Sequence, residues 1–258
     1  LKHERPGLKG VISATRGNHG QSIALAAARA GTAATIVVPH GNSVEKNAAM
    51  RALGVTLVEH GEDFQAAADH AAALAVTQGL HRVPSFHRDL VRGVATAYVE
   101  FFEALKDAPP EVLFVPIGLG SGFAGAAAAR AHVGVRTKLV GVVSAHATAY
   151  LDSWRAGRPM DAPVGTQLAD GMACRTPVPE SLAVIRREAE DVVAVSDDEV
   201  AAAMRLLYRA THNVAEGAGA AALAAAWQQR GRWAGRPIGV ALTGGNVDAD
   251  LFSRVLQP

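Results

Sequence analysis

Ser13-Ala14-Thr15-Arg16-Gly17-Asn18-His19-Gly20-Gln21 stands between a short β-branched run, residues 10–14, and an alanine-rich segment of helical period, residues 21–30. A strand that runs into a helix through a glycine-containing turn is the repeating joint of an α/β protein. Gly17 and Gly20 permit tight backbone geometry in that joint, and the N–H groups that open the helix form a ready anion site. Asn18 adds an amide able to hydrogen-bond a ring oxygen. Taken alone, the stretch reads equally well as an ordinary turn with an asparagine cap.

The same joint recurs outward from this point. Strands are predicted at 34–39, 55–59, 112–117, 138–144, 191–195 and 238–242, with an extended run at 82–86. Helices are predicted from 42–45 to about 53, then at 64–77, 90–105, 124–132, 197–211 and 217–230. Asn42-Ser43-Val44-Glu45 and Ser196-Asp197-Asp198-Glu199 both read as capping boxes, Asn42 being the acceptor in the first. Asp107-Ala108-Pro109-Pro110 is a breaker. Repeated β-then-α units predict an α/β fold of parallel sheets with helices on both faces, where ligands sit at the carboxyl ends of strands. Two domains are expected, 1–88 and 89–258, with a cofactor cleft between them.

Bulk composition narrows the function. The chain has 258 residues, 49% apolar and 19% charged, enough for one large or two small cores. Net charge is +1 and Lys and Arg are scattered, which leaves a nucleic-acid partner without support. The single cysteine, Cys174, rules out an internal disulfide framework and suits a reducing cytoplasm. No apolar stretch reaches the roughly eighteen residues of a membrane span. The start, Leu1-Lys2-His3-Glu4-Arg5, lacks both an initiating Met and an apolar leader, so Leu1 is not expected to be the native N-terminus.

Two more turns sit at strand ends. Pro116-Ile117-Gly118-Leu119-Gly120-Ser121-Gly122 has three glycines at alternate positions and a hydroxyl, a way to wrap a phosphate with backbone N–H groups. A dinucleotide fingerprint is the rival reading. It fails because Phe123 stands where the third glycine belongs, and because the next strand ends in Ser144-Ala145 rather than an acid for a ribose. Leu242-Thr243-Gly244-Gly245-Asn246 closes the last strand, and a hydroxyl there could bond a pyridine nitrogen. A plain turn is the simpler reading of that stretch in isolation.

In order and spacing, the three motifs resemble the threonine dehydratase/serine racemase family of fold-type II pyridoxal-phosphate enzymes, over about residues 10–246. Thr15-Arg16-Gly17-Asn18-His19 is similar to that family's Ser-x-Gly-Asn-His loop. The resemblance implies that Asn18 contacts the cofactor's ring oxygen, and that Thr15, Arg16, Gly17 and His19 hold the substrate carboxylate. Gly118, Leu119, Gly120, Ser121 and Gly122 resemble the tetraglycine phosphate cup, and Thr243 the residue at the pyridine nitrogen. Residues 45–54, 169–171 and 216–219 add to the likeness. The implied cofactor is pyridoxal 5′-phosphate and the implied partner a small amino acid, in a cytoplasmic homo-oligomer, dimer or tetramer.

Four departures accompany the resemblance. Arg16 replaces a small residue, which argues against racemisation. Leu119 and Ser121 interrupt the glycine run, and Ala95 stands where relatives often have glycine. Nothing matches the family's Ser-Phe-Lys-x-Arg-Gly segment upstream of the Asn loop. Lys2 and Lys9 lie too close to the first strand and Lys46 sits on a helix, so no catalytic residue is assigned within the chain.

By resemblance, the complete protein removes water and ammonia from L-threonine, L-serine or a related β-hydroxy amino acid to give a 2-oxo acid. A neutral hydroxyl at the pyridine nitrogen, as Thr243 implies, favours β-elimination over transamination. The ten histidines show no paired ligand spacing on one helix face, and no metal is assigned. Asp170 reads as a turn residue or a cation ligand, and Glu216 as a helix-start charge or a neighbour of the cofactor ring. The alternatives are an inactive fragment or non-catalytic homologue, and another fold-type II lyase or synthase.

Overall fold

The computed structural model describes residues 7–257, so the expectations for Leu1 and Lys2 lie outside the described residues. Contacts divide the chain after Ser85. The first unit holds Val11–Ala14 (β1), Asn18–Arg29 (α1), Ala34–Val38 (β2), Val44–Ala52 (α2), Thr56–Glu59 (β3), Phe64–Gln78 (α3) and His81–Arg82 (β4). Its sheet runs β3-β2-β1-β4, with every pairing parallel.

The second unit holds Arg88–Ala104 (α4), Val112–Pro116 (β5), Ser121–Val133 (α5), Lys138–Ser144 (β6), Ala149–Ala156 (α6) and Pro179–Glu188 (α7). It continues with Ala189–Val195 (β7), Asp197–Thr211 (α8), Gly217–Gln228 (α9), Ile238–Val240 (β8) and Ala249–Leu256 (α10). The order β7-β6-β5-β8 is again wholly parallel, with one register shift at Leu139/Val140.

Alternation along the strands decides the layering, because successive side chains face opposite sides of a sheet. In the second unit Val112, Phe114, Val140 and Val142 enter one core with Met204 of α8, Ala221 of α9 and Val255 of α10. Leu113, Val115, Leu139 and Val143 enter a separate core with Phe102 of α4, Phe123 of α5, Tyr150 of α6 and Ile185 of α7. The first unit divides likewise. Ile12, Ala14 and Val37 pack on α3, whereas Val11 with Ala27, and Ile36 with Met50, pack toward α1 and α2. Helices thus cover both faces of each sheet, as the β-then-α pattern predicts.

Element boundaries depart from the periodic reading in a consistent way. α1 begins at Asn18 rather than 21, and α5 at Ser121 rather than 124. Asn18-His19 and Ser121-Gly122 therefore lie in first helical turns, where polar and glycine residues carry no apolar period. In the first capping box the cap is Ser43, not Asn42. Its Oγ accepts from the Lys46 N–H at 3.0 Å, while Asn42 donates to Asn47 Oδ1 at 2.7 Å. That one-residue shift moves Glu45 off the third helical position, so no reciprocal box forms. The second box closes as read, Ser196 N–H donating to Glu199 and Glu199 N–H to Ser196 Oγ. Of the run expected at 82–86 only Arg82 is in a strand, β4, and the periodic pattern does not show α6, α7 and α10, each ten residues or fewer.

Candidate functional site

In the first unit the Asn loop leaves the carboxyl end of β1 and enters α1 directly. Thr15 N–H donates to the Val37 carbonyl at 3.0 Å, and Thr15 Oγ1 accepts from Gly17 N–H at 3.0 Å, which shapes the loop and leaves the hydroxyl proton to donate. Gly17 is the N-cap of α1 without a side-chain cap. A Cβ there would come within 2.6 Å of Lys46 Cδ, so the buried Lys46 stem closes one side of the loop. Arg16 is half-buried and Asn18 exposed. Gln21, one turn into the helix, keeps a buried Nε2 with no acceptor. Nothing in the sequence marks this donor, because an orphaned group shows only in three dimensions.

His19 is held more closely than the loop around it. Ser13 Oγ donates to the Val83 carbonyl at 2.7 Å and lies 3.1 Å from His19 Nε2. Burial holds the imidazole below its ordinary value of 6.5, so it is uncharged at neutral pH.

In the second unit the glycine turn leaves β5 and enters α5. Gly120 caps that helix with φ of 90° and no side-chain cap, so the first-turn N–H groups face outward without an internal acceptor from a cap. A Cβ at Gly120 would run into Ser181 Oγ, and one at Gly118 into the Gly171 carbonyl oxygen. The turn is held from beneath by Tyr150. Its hydroxyl donates to the Leu119 carbonyl at 2.9 Å, accepts from Val178 N–H at 3.0 Å and meets Ser181 Oγ at 3.2 Å. Burial raises the Tyr150 phenol well above its ordinary range. Nothing in the sequence around Tyr150 or Ser181 signals this duty.

Four motifs of this unit pack on one another. Gly118 meets Gly171, Gly217 meets the Leu168 carbonyl, and Gly219 meets the Gly244 carbonyl. Glu216, buried at the N-cap of α9, donates its N–H to Gly244 O at 3.0 Å, which pins the loop after β8. β8 pairs parallel with β5, and Ala241 N–H extends the ladder to Phe114 O. Thr243, exposed, therefore leaves the sheet at the same carboxyl edge as the glycine turn. Asp197, read as a helix-start charge, also accepts from Thr166 Oγ1 and Gln167 N–H, both at 2.8 Å, and so anchors the segment before Asp170.

In the first unit Lys9 lies by Gly79 and Lys46 beneath Gly17; in the second, Lys106 is exposed after α4 and Lys138 Nζ bonds Glu190 Oε1 at 2.9 Å. Among the described residues no group of three or more His, Cys, Asp or Glu could hold a metal ion, and no helix is long and apolar enough to cross a membrane. Cys174 is buried, donates to the Thr176 carbonyl at 3.2 Å, and has its thiol pushed up to about 12 by burial. Thiolates, not thiols, are the nucleophiles. Iodoacetamide is thus expected to leave Cys174 intact in the folded protein at mildly alkaline pH and to modify it only after denaturation. Equal labelling of both states by mass spectrometry would contradict that burial.

Known proteins share this fold and family. The family described as pyridoxal-phosphate dependent enzyme matches residues 1–244. An L-threonine ammonia-lyase of Thermotoga maritima is 31% identical over 250 residues, which cover 96% of this chain and 62% of that protein. The chain therefore spans less than two thirds of that relative's length. An L-threo-3-hydroxyaspartate ammonia-lyase of a Pseudomonas species is 30% identical, over 96% of this chain and 77% of that one. Among solved structures, threonine deaminase isoform 2 from Solanum lycopersicum superposes with a TM-score of 0.87 at 31% identity, over 96% of this chain and 73% of that one.

Proposed function

This chain belongs to the pyridoxal-phosphate dependent enzymes, and from that premise we propose that the protein is an ammonia-lyase acting on L-threonine, L-serine or a related β-hydroxy amino acid. One observation carries the reading. The turn 118–122 packs so closely on Gly171 and Ser181 that no Cβ fits at Gly118 or Gly120, and it runs into a helix start with no side-chain cap, at the sheet edge that also carries Thr243. A turn of backbone N–H groups at an uncapped helix start fits a phosphate.

Bound there, pyridoxal 5′-phosphate supplies an electron sink for a carbanion at the substrate Cα. The chain's own groups then have simple tasks. Backbone N–H groups of Gly118, Leu119, Gly120, Ser121 and Gly122 hold the phosphate, and the α5 dipole favours its charge. Thr243 offers a neutral hydroxyl to the ring nitrogen, and Asn18 an amide to the ring oxygen. Arg16 and the remaining hydroxyl proton of Thr15 would meet the substrate carboxylate, in the loop that Gly17 and His19 complete. We place the reaction in the cytoplasm, in a homo-oligomer. The test is titration of the protein as encoded with pyridoxal phosphate, read by visible absorbance, with 2-oxo acid measured from L-threonine and L-serine. Saturable binding with oxo acid release supports the proposal; absence of both removes it.

A second reading, cofactor binding without turnover, is favoured by the lysines, none of which stands in a family-like segment. Borohydride reduction of the loaded protein followed by peptide mapping separates the two. A lysine carrying the reduced cofactor supports turnover, and none supports the non-catalytic homologue.

Arg16 bears on the substrate. Among the described residues it has no ionic partner, and a relative acting on L-threo-3-hydroxyaspartate lies within reach of comparison. A guanidinium in the substrate loop favours a second carboxylate. Replacing Arg16 by Ala is expected to lower the kcat/KM ratio of 3-hydroxyaspartate to threonine by about 10–100-fold. An unchanged ratio would remove Arg16 from specificity.

A further inference from the structure

The hydrogen-bond chain Val83–Ser13–His19 decides a protonation state. A serine hydroxyl has one proton, and Ser13 commits it to the Val83 carbonyl at 2.7 Å. Toward His19 Nε2, 3.1 Å away, Ser13 Oγ can then only accept. A neutral imidazole in that contact must carry its proton on Nε2 and leave a lone pair on Nδ1. Ser13 is 1% exposed and fixed in β1, while Val83 follows β4, whose N–H bonds Ile12 O at 2.8 Å, so the chain is built into the sheet. His19 Nδ1 has no partner among the described residues.

We propose that Ser13 is a positioning residue that fixes His19 as the Nε2–H tautomer, and that Nδ1 is thereby a hydrogen-bond acceptor for a donor group of the substrate. The helix-start N–H groups offer donors to the substrate's oxygens. An amino acid also brings donors of its own, a β-hydroxyl and an amine. In the loop 15–19 the imidazole Nδ1 of this tautomer presents a lone pair able to accept from such a donor. This role rests on the reading of that loop as the substrate loop; the tautomer does not.

Long-range 1H–15N correlation on uniformly 15N-labelled protein reads the tautomer directly. The His19 signals are those missing from the His19→Gln spectrum. The expected pattern is a single neutral form protonated at Nε2, giving way to mixed tautomers in Ser13→Ala. An Nδ1-protonated pattern, or the same mixture with and without the Ser13 hydroxyl, overturns the assignment. Two variants then separate acceptor from brace. Asn at position 19 can replace Nδ1 as acceptor, whereas Gln can replace Nε2–H as donor to Ser13. If Nδ1 serves the substrate, His19→Asn retains about tenfold more kcat/KM in deamination than His19→Gln. Equal values or the reverse order show that His19 only braces the loop. The spectrum needs no cofactor, so an inactive wild-type protein sinks the deaminase reading while the spectrum still decides the tautomer.

Discussion

Replacing Gly120 with Ala is expected to destabilise the unit that carries it by about 3–5 kcal/mol and to abolish retention of pyridoxal phosphate. Two effects add at this position. The backbone stands at φ of 90°, where a side chain strains the chain by about 1–3 kcal/mol. The added Cβ also meets Ser181 Oγ, which is fully buried and tied to Tyr150 and so has nowhere to retreat. Relief requires the turn to move away from Ser181, and that motion redirects the N–H groups at the start of α5. In urea the midpoint should fall with little change in slope, and the visible band of bound cofactor should be lost even where the protein stays folded. Gly122→Ala is the control. There a Cβ meets nothing closer than 3.6 Å, so stability should change by about 1 kcal/mol or less. Similar losses at both positions would refute the account of the turn.

The contrast between these two glycines shows what the sequence could and could not deliver. Alternation of β-branched runs with alanine-rich helical segments predicts parallel sheets, and the strand Lys138–Ser144 and helix Asp197–Thr211 fall where the pattern puts them. A strict period of two or 3.6 is a strong signal because burial of a whole face depends on it. Helix starts are read less well, since Asn18-His19 and Ser121-Gly122 open their helices with residues that carry no apolar period. α6, α7 and α10 are short and hold their places by contacts distant in sequence, such as Tyr150 with Leu119 and Arg205 with the Val255 carbonyl. The motifs 118–122, 169–171, 216–219 and 243–246 were legible as glycine-containing stretches. That they interlock backbone to backbone was not, because a glycine required by a distant neighbour looks like a glycine required by its own turn. Ser13 shows the same limit: in sequence it is one residue of a strand, and only Val83, seventy residues on, makes it a director of His19.

Tyr150 tests whether the turn is shaped by its own sequence or by what lies under it. Phe at this position preserves the ring's packing and removes one hydroxyl. The Leu119 carbonyl then loses its donor and Val178 N–H its acceptor, at two partly buried contacts. A fully buried polar group left without a partner costs about 1–3 kcal/mol, and partly buried ones sit at the lower end, so Tyr150→Phe should cost about 2–3 kcal/mol overall. If the hydroxyl shapes the turn, the dissociation constant for pyridoxal phosphate should rise at least about tenfold, since Leu119 lies within the turn proposed to hold the phosphate. A double-mutant cycle with Ser181→Ala makes the argument sharper. Ser181 touches the same hydroxyl at 3.2 Å, so the two losses should be non-additive by about 1 kcal/mol. Additive losses would mean that the two side chains act separately, and an unchanged cofactor affinity would mean that the turn holds its form on glycine and backbone alone.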